Sequence, residues 1–593
     1  MATEPDPGSD HVDHRDDDFE RIIQTVLTEK LQNWPNEAGF EGLKEVRGPV
    51  HLEVKGTIPS WAAGSLYRTG PGAYKVENTP KGTFNTTHWF DGFAHTHKFK
   101  IIPNPDDKQA TALRVEYLSR RQAEDHVESI RKTGQVPYLS FGQRRDPCVG
   151  IFSKFASLFQ PANPNPTPSS ENVCVAVYED LPGLAAAYKH MPASVSHRGG
   201  NQKVMYVTTD STRMSRCDAE TLEPLGIAKQ SALHPLLNGP LTSAHAQLDP
   251  ITGDLYNYNL DLGRQATYRI FRIAAATGKV DIIATIRQSK TKPAYIHSFF
   301  LSPSFIIFCV PSTHISYNGL SIPWKGNIVD SLEPFDPSKL CQWFVIDRHH
   351  GRGVVATFES PAGFFFHSVN AFEEKIDSTG EVEVACDVME YPSNDIIRFF
   401  EMNTLLRMNG TQETFWGDEK RIRHRLTSLV RHRFRVPQYE NASNSKPARV
   451  AWEKVFEIKE PHAGELPTIN RAYATKKYRY IYSLPTYGLS TLNETIVKTD
   501  IVAKRTTFWQ CPKGHTPSEA IFVARPRTGE ETKTGSDADE EDEDDGVLLS
   551  VVLDGFNQKS YLVCIDAKTM KETGRVECDW AVGHGFHGLH TQE

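Results

Sequence analysis

DPITGDLYNYNLDLGRQATYRIFRIAAATGKVDIIATI, residues 249–286, is written as three short β-branched and aromatic runs parted by turn residues. DLYNYNLDL, TYRIFRIA and KVDIIATI have the length and composition of strands, and Asp249-x-x-Thr252-Gly253 and Ala276-Thr277-Gly278 are tight-turn signals. The pattern extends in both directions. KVMYVTT (203–209) lies upstream, SFIIFCV (304–310) and QWFVID (342–347) lie downstream, and Asp-x-x-Thr turns recur at Asp218 and Asp566. Antiparallel meanders repeated along 593 residues predict an all-β propeller rather than a sandwich.

Composition agrees with a large globular chain. Hydrophobic residues make up 39% and aromatic residues 10%, enough for a wide core and an apolar cavity. Nine cysteines show no Cys-x-x-Cys pair, so neither a zinc knuckle nor a disulfide framework is indicated. The acidic start lacks a basic and apolar leader, and no run reaches the ~18 apolar residues of a membrane span. The expectation is an intracellular, cytoplasmic protein, soluble or peripheral to a membrane. The net charge of −8 hides two acidic tracts: residues 1–20 carry −7 and residues 530–545 carry −9, leaving the body at about +8. That excess suits an anionic membrane surface better than nucleic acid.

Residues 1–18 are expected to be disordered, and one domain is expected over 19–593. A helix is predicted from about Phe19 to Asn33, because Ile22, Ile23, Val26, Leu27 and Leu31 fall near helical spacing. In KRIRHRLTSLVRHRFR (420–435), Arg421, Arg423 and Arg425 alternate with Ile422, His424 and Leu426, which reads as a half-exposed strand and not a nucleic-acid patch. The 530–545 tract reads as a loop insertion away from the chemistry. Ile151, Phe152, Phe155, Leu158 and Phe159 form one helical face flanked by prolines. A core helix explains it most simply, and a peripheral membrane contact is the alternative.

Of 23 histidines, four stand in strand-like settings with apolar or small neighbours: Ala244-His245, Tyr295-Ile296-His297-Ser298, Phe364-Phe365-Phe366-His367-Ser368 and Gly585-Phe586-His587-Gly588. They are too far apart for a local motif and must converge from separate parts of a closed fold. His95 and His97, His584 and His590 are the rival candidates.

In this context Gly64-Ser65-Leu66-Tyr67-Arg68-Thr69-Gly70-Pro71-Gly72, His88-Trp89-Phe90-Asp91-Gly92-Phe93-Ala94-His95-Thr96-His97, Phe365-Phe366-His367-Ser368-Val369-Asn370 and Gly585-Phe586-His587-Gly588 occur in order. From about Pro49 to the C-terminus the chain resembles the carotenoid cleavage oxygenases. The resemblance implies a seven-bladed β-propeller with helical and loop excursions forming a dome over one iron(II). It assigns that iron to His245, His297, His367 and His587, with Asp210, Glu465 and Glu519 behind them. The family's usual residue at the first of these is glutamate, so Asp210 is expected to reach its histidine through a water, with Glu179 as the substitute.

The implied reaction is cleavage of a conjugated C=C bond by O2 to two carbonyl products, without an organic cofactor. Four neutral imidazoles suit this, since they hold iron(II) and leave positions open. Phe299, Phe364, Phe365 and Phe366 are candidate lining for an apolar substrate tunnel, with propeller core as their plainer role. The resemblance is greatest to fungal enzymes that cleave carotenoids, torulene among their substrates. Stilbene cleavers are similar too, but they use a lysine expected near Asp210, and Met205–Arg216 contains none. A non-catalytic carotenoid-binding propeller is the remaining alternative.

Overall fold

The computed structural model describes residues 15–41, 43–103, 112–144, 166–184, 203–438, 446–526 and 543–592. The 249–286 stretch forms an antiparallel meander of Gln247–Leu248, Leu255–Asp261, Thr267–Ile273 and Val280–Ile286. Its Asp249 turn forms because the Oδ1 atom accepts the backbone N–H groups of Ile251 and Thr252. Asp218 and Asp566 close two other hairpins in the same way.

Four further sheets repeat the plan. They begin at Ala176–Tyr178, Phe300–Leu301, Phe364–Ile376 and Glu465–Thr468; the Phe300 sheet gains Ala448–Arg449 as a fifth, parallel strand. Apolar side chains wedge between neighbouring sheets. Phe300, Ile307 and Trp343 of one sheet pack with Phe365, Val384 and Val430 of the next.

Of the remaining strands, Lys75–Thr79 and Gly82–Asn85 form a two-stranded hairpin and the other ten form one sheet, so five separate blade sheets stand beside one larger sheet where seven blades were expected. Val50–Gly56 joins its two parts: Val50–Glu53 pair with Ala112–Arg121, and Val54–Gly56 pair with Lys571–Glu577. Hydrogen bonding therefore runs unbroken from one part to the other through this strand. The C-terminal strand His587–Thr591 pairs with Gly64–Ala73, so the two ends of the chain share a sheet.

The N-terminal helix spans Arg15–Glu29, earlier than expected at both ends. Asp16, Asp17 and Asp18 favour its first turn, so residues 15–18 are helical rather than disordered. Lys30 and Leu31 take left-handed φ of 49° and 57° and end it. Phe19, Ile22, Ile23 and Val26 pack with Ile396, Phe399 and Ile422 from helical segments between 395 and 425, and with Trp416 from a turn among them. Glu20 accepts from Arg423 of that cover, and Asp18 and Asp16 pair with His462 and Lys459.

Residues 419–425 are a helix, not the expected strand. Asp418 caps it by accepting the N–H groups of Lys420 and Arg421, and the strand begins only at Ser428. The acidic insertion also ends differently from its reading. Glu543 and Asp544 are buried; Glu543 accepts the backbone N–H groups of Arg479 and Tyr480, and Asp544 pairs with Lys498. The face formed by Ile151, Phe152, Phe155, Leu158 and Phe159 lies outside the described residues. Among the described residues no helix is long and apolar enough to cross a membrane.

Candidate metal centre

His245 precedes the strand Gln247–Leu248, His297 precedes Phe300–Leu301, His367 lies within Phe364–Ile376 and His587 opens the last strand. Irregular backbone aims them. His367 falls within the register shift between Phe365 and Ser368, and a second shift follows between Ser368 and Asn370; a bulge there can redirect a side chain. Serines stitch these segments together. Ser243 Oγ donates to the His297 carbonyl, and Ser298 Oγ donates to the Phe366 carbonyl while accepting the Ser368 N–H.

The four imidazoles meet with ligand nitrogens all within 4.8 Å of one another. His245 Nε2 is 3.1 Å from His297 Nε2, and His367 Nε2 is 3.2 Å from His587 Nε2. Three far nitrogens face carboxylates: His297 Nδ1 donates to Asp210 at 2.8 Å, His367 Nδ1 to Glu465 at 2.5 Å and His587 Nδ1 to Glu519 at 2.8 Å.

This geometry tests the fit to a metal ion. A carboxylate only accepts, so each Nδ1 carries the proton and each Nε2 presents a lone pair. Lone pairs converging at such distances repel one another unless a cation lies between them. The three carboxylates also bring negative charge into a buried site, and Arg68, donating to Glu519 at 3.1 Å, offsets only part of it. A dication completes the balance, and an all-imidazole set suits iron(II). Burial and the neighbouring rings hold His245 and His587 well below the usual histidine range, in the neutral form that ligates. Burial raises Glu519, with Arg68 opposing.

Asp210 reaches His297 directly, which corrects the expected intervening water, and Glu179 is exposed. The shorter acid is held on both sides: Oδ1 accepts the Ala244 N–H at 3.0 Å, and Oδ2 also accepts the Tyr295 hydroxyl at 2.7 Å. Sequence reading missed Tyr295, although it stands two residues before His297. It missed Arg68 and the serines for the same reason: their partners are distant in sequence. The rival histidines lie elsewhere. His97 Nδ1 pairs with the Tyr117 hydroxyl, His584 donates to Asn36 O and His590 to Ala62 O.

A cavity of about 990 Å³, counting its mouth, opens beside the cluster and includes His297, His367 and His587 in its wall. Of the expected tunnel residues only Phe366 lines it. Phe299, Phe364 and Phe365 are core instead: Phe365 points to the opposite face of its strand, Phe299 packs in a neighbouring sheet seam, and Phe364 shares the face of Phe366 but is packed against it and Tyr295, with ring centres 4.8 and 6.0 Å away. The other aromatic lining comes from Trp89, Phe90, Tyr391, Phe399, Phe400 and Phe586. Phe90 is their hub, 5.2 Å from Phe400, 5.1 Å from Phe586 and 5.8 Å from Phe366 between ring centres.

Comparison with known proteins follows from this architecture. The chain is 48% identical to a carotenoid dioxygenase of Neurospora crassa, over 97% of this chain and 94% of that one. It is 44% identical to a torulene dioxygenase of Gibberella fujikuroi, over 98% and 97%. Among solved structures, a variant of the Synechocystis apocarotenoid oxygenase superposes with a TM-score of 0.64 at 20% identity, covering 96% of this chain and 99% of that one. The profile described as RPE65, retinal pigment epithelial membrane protein, matches residues 39–592, and the chain belongs to this family of carotenoid oxygenases.

Proposed function

We propose that the chain is a dioxygenase that uses one iron(II), held by His245, His297, His367 and His587, to cleave a conjugated C=C bond of a carotenoid. The observation that carries this is the convergence of four imidazoles, three with their Nδ1 atoms on carboxylates, beside an aromatic cavity whose wall includes those three. The names of the similar fungal enzymes support torulene as the substrate. These four histidines would hold iron(II), and the chemistry it would supply there is the binding and activation of dioxygen. Asp210, Glu465 and Glu519 keep the Nδ1 protons in place, so the Nε2 lone pairs stay directed at the centre. Phe90, Phe366, Phe400 and Phe586 bind the polyene by apolar contact and exclude water from the reacting bond. Each alkene carbon receives one oxygen atom of O2 as the double bond breaks, giving two carbonyls, so no external reductant enters the balance.

The test is to incubate iron-loaded protein with torulene, β-carotene, apocarotenals and resveratrol, follow oxygen uptake and identify the aldehydes. Torulene should give two carbonyl fragments per O2 consumed. Turnover of resveratrol alone would overturn the substrate class, and protein that neither holds iron nor consumes oxygen would overturn the enzyme.

The same reading takes the ten-stranded sheet as two blades fused through Val50–Gly56, which with the five separate sheets makes seven blades in a single 19–593 domain. It also takes the face of Ile151, Phe152, Phe155, Leu158 and Phe159 as a peripheral membrane contact, supported by its apolar pattern and by a substrate class that partitions into lipid. Replacing Phe152 and Phe155 by serine should abolish co-flotation with phosphatidylcholine vesicles; undiminished flotation would remove the contact from this face.

A further inference from the structure

The cavity wall is not uniformly apolar. Away from the aromatic residues it includes Arg425, Glu460, Thr486, Thr491 and Asn493. Arg425 is the anomaly among them. Its side chain is 6% exposed, and its guanidinium stacks on Phe399 and Trp416 at 4.8 and 5.2 Å from the ring centres. Its Nη1 is buried without an acceptor, and Arg425 makes no side-chain hydrogen bond among the described residues. A guanidinium offers five N–H donors, and leaving a buried one unmade is costly. The two nearby acids do not satisfy it. Glu460 spends its oxygens on the backbone N–H groups of Thr427 and Thr486, and Glu494 spends its own on Thr486 Oγ1 and the N–H groups of Tyr487, Leu489 and Ser490.

We propose that Arg425 is a specificity-determining residue that receives a carbonyl oxygen at the end of an oxygenated polyene, fixing that end in the cavity. This rests on the carotenoid-cleaving reading above and extends it from hydrocarbon polyenes to polyene aldehydes. Chemistry selects the carbonyl over a carboxylate. Burial pushes Glu460 and Glu494, beside the guanidinium, up to about 7, which shows that this region disfavours a carboxylate and resists a further anion. A neutral acceptor meets the open donors without adding charge. The aromatic wall then sheathes the chain between this end and the histidines.

The experiment is an anaerobic titration of the full iron-loaded chain with a β-apocarotenal and with torulene, read by the visible absorption of the polyene. In the unsubstituted protein a guanidinium bond to the carbonyl should shift the aldehyde band to the red, with no comparable shift for torulene. In Arg425→Met that shift should vanish, and the affinity for the aldehyde relative to torulene should fall by about tenfold or more, the scale of a charge-assisted hydrogen bond. Arg425→Lys should retain part of both. An unshifted aldehyde band in the unsubstituted protein, or an unchanged affinity ratio in Arg425→Met, overturns the assignment and leaves water as the partner of Arg425. Failure to bind either polyene would overturn the carotenoid reading along with it.

Discussion

Asp210 does with a shorter side chain what glutamate does at the other two positions, and Tyr295 makes this possible. The tyrosine hydroxyl and His297 Nδ1 share one carboxylate oxygen, at 2.7 and 2.8 Å, while the Ala244 N–H holds the other. Asp210→Asn should therefore lower iron affinity by about 10–100-fold, as loss of a carboxylate behind a ligating histidine does. Tyr295→Phe removes one bond of the network and should cost about 1 kcal/mol of stability with a smaller loss of iron. Iron titration and thermal melts of both variants separate the two roles, and an equal loss of iron in the two would contradict the ranking. At this scale the site was only half legible. The histidines stood out because ordered local motifs marked them. Tyr295, Arg68 and Ser298 did not, because a hydrogen bond to a distant residue leaves no pattern in the sequence around either partner.

Elements place these residues through close backbone approaches. Gly70, in the strand Gly64–Ala73, faces the segment that delivers His587: a Cβ there would lie 2.7 Å from Gly585 Cα and 3.0 Å from Phe586 N. Both obstacles are main chain, so the strands themselves must part. Gly70→Ala should cost about 1–3 kcal/mol and lower the iron bound per chain, because His587 follows two residues later. Calorimetry with metal analysis checks this, and full iron occupancy at unchanged melting temperature would show that the strands yield. Reading elements from the sequence succeeded where alternation or turn chemistry acted alone, as in residues 249–286. It failed at 419–425, where alternating arginines imitated a strand while the decisive signal was the Asp418 cap. The tunnel reading failed for two reasons: Phe365 points to the other face of the strand, and Phe364, on the face of Phe366, packs against that ring without lining the cavity.

The whole molecule buries an unusual store of imidazoles outside the metal centre, and this sets its response to acid. Desolvation pushes His88 and His95 down to about 3, and His126, His314, His584 and His590 down to about 4. An unfolded histidine takes up its proton near 6.5. Between these values the unfolded chain binds protons that the folded chain refuses, so the contribution to stability is full above about 6.5 and is lost as pH falls. Burial works the other way on Asp91, raised to about 6, and on Glu460 and Glu494, raised to about 7; these favour the folded state as pH drops through that interval. Six imidazoles outnumber three carboxyls, each group acting with a slope of about 1.4 kcal/mol per pH unit. The melting temperature should therefore fall steadily from about pH 6.5 towards pH 4.5. His126→Gln, which removes a buried imidazole remote from the metal centre, should flatten that slope. Melting curves across the interval decide the matter: a temperature that rises with acidification would mean that the buried carboxyls, not the histidines, govern the fold's response to pH.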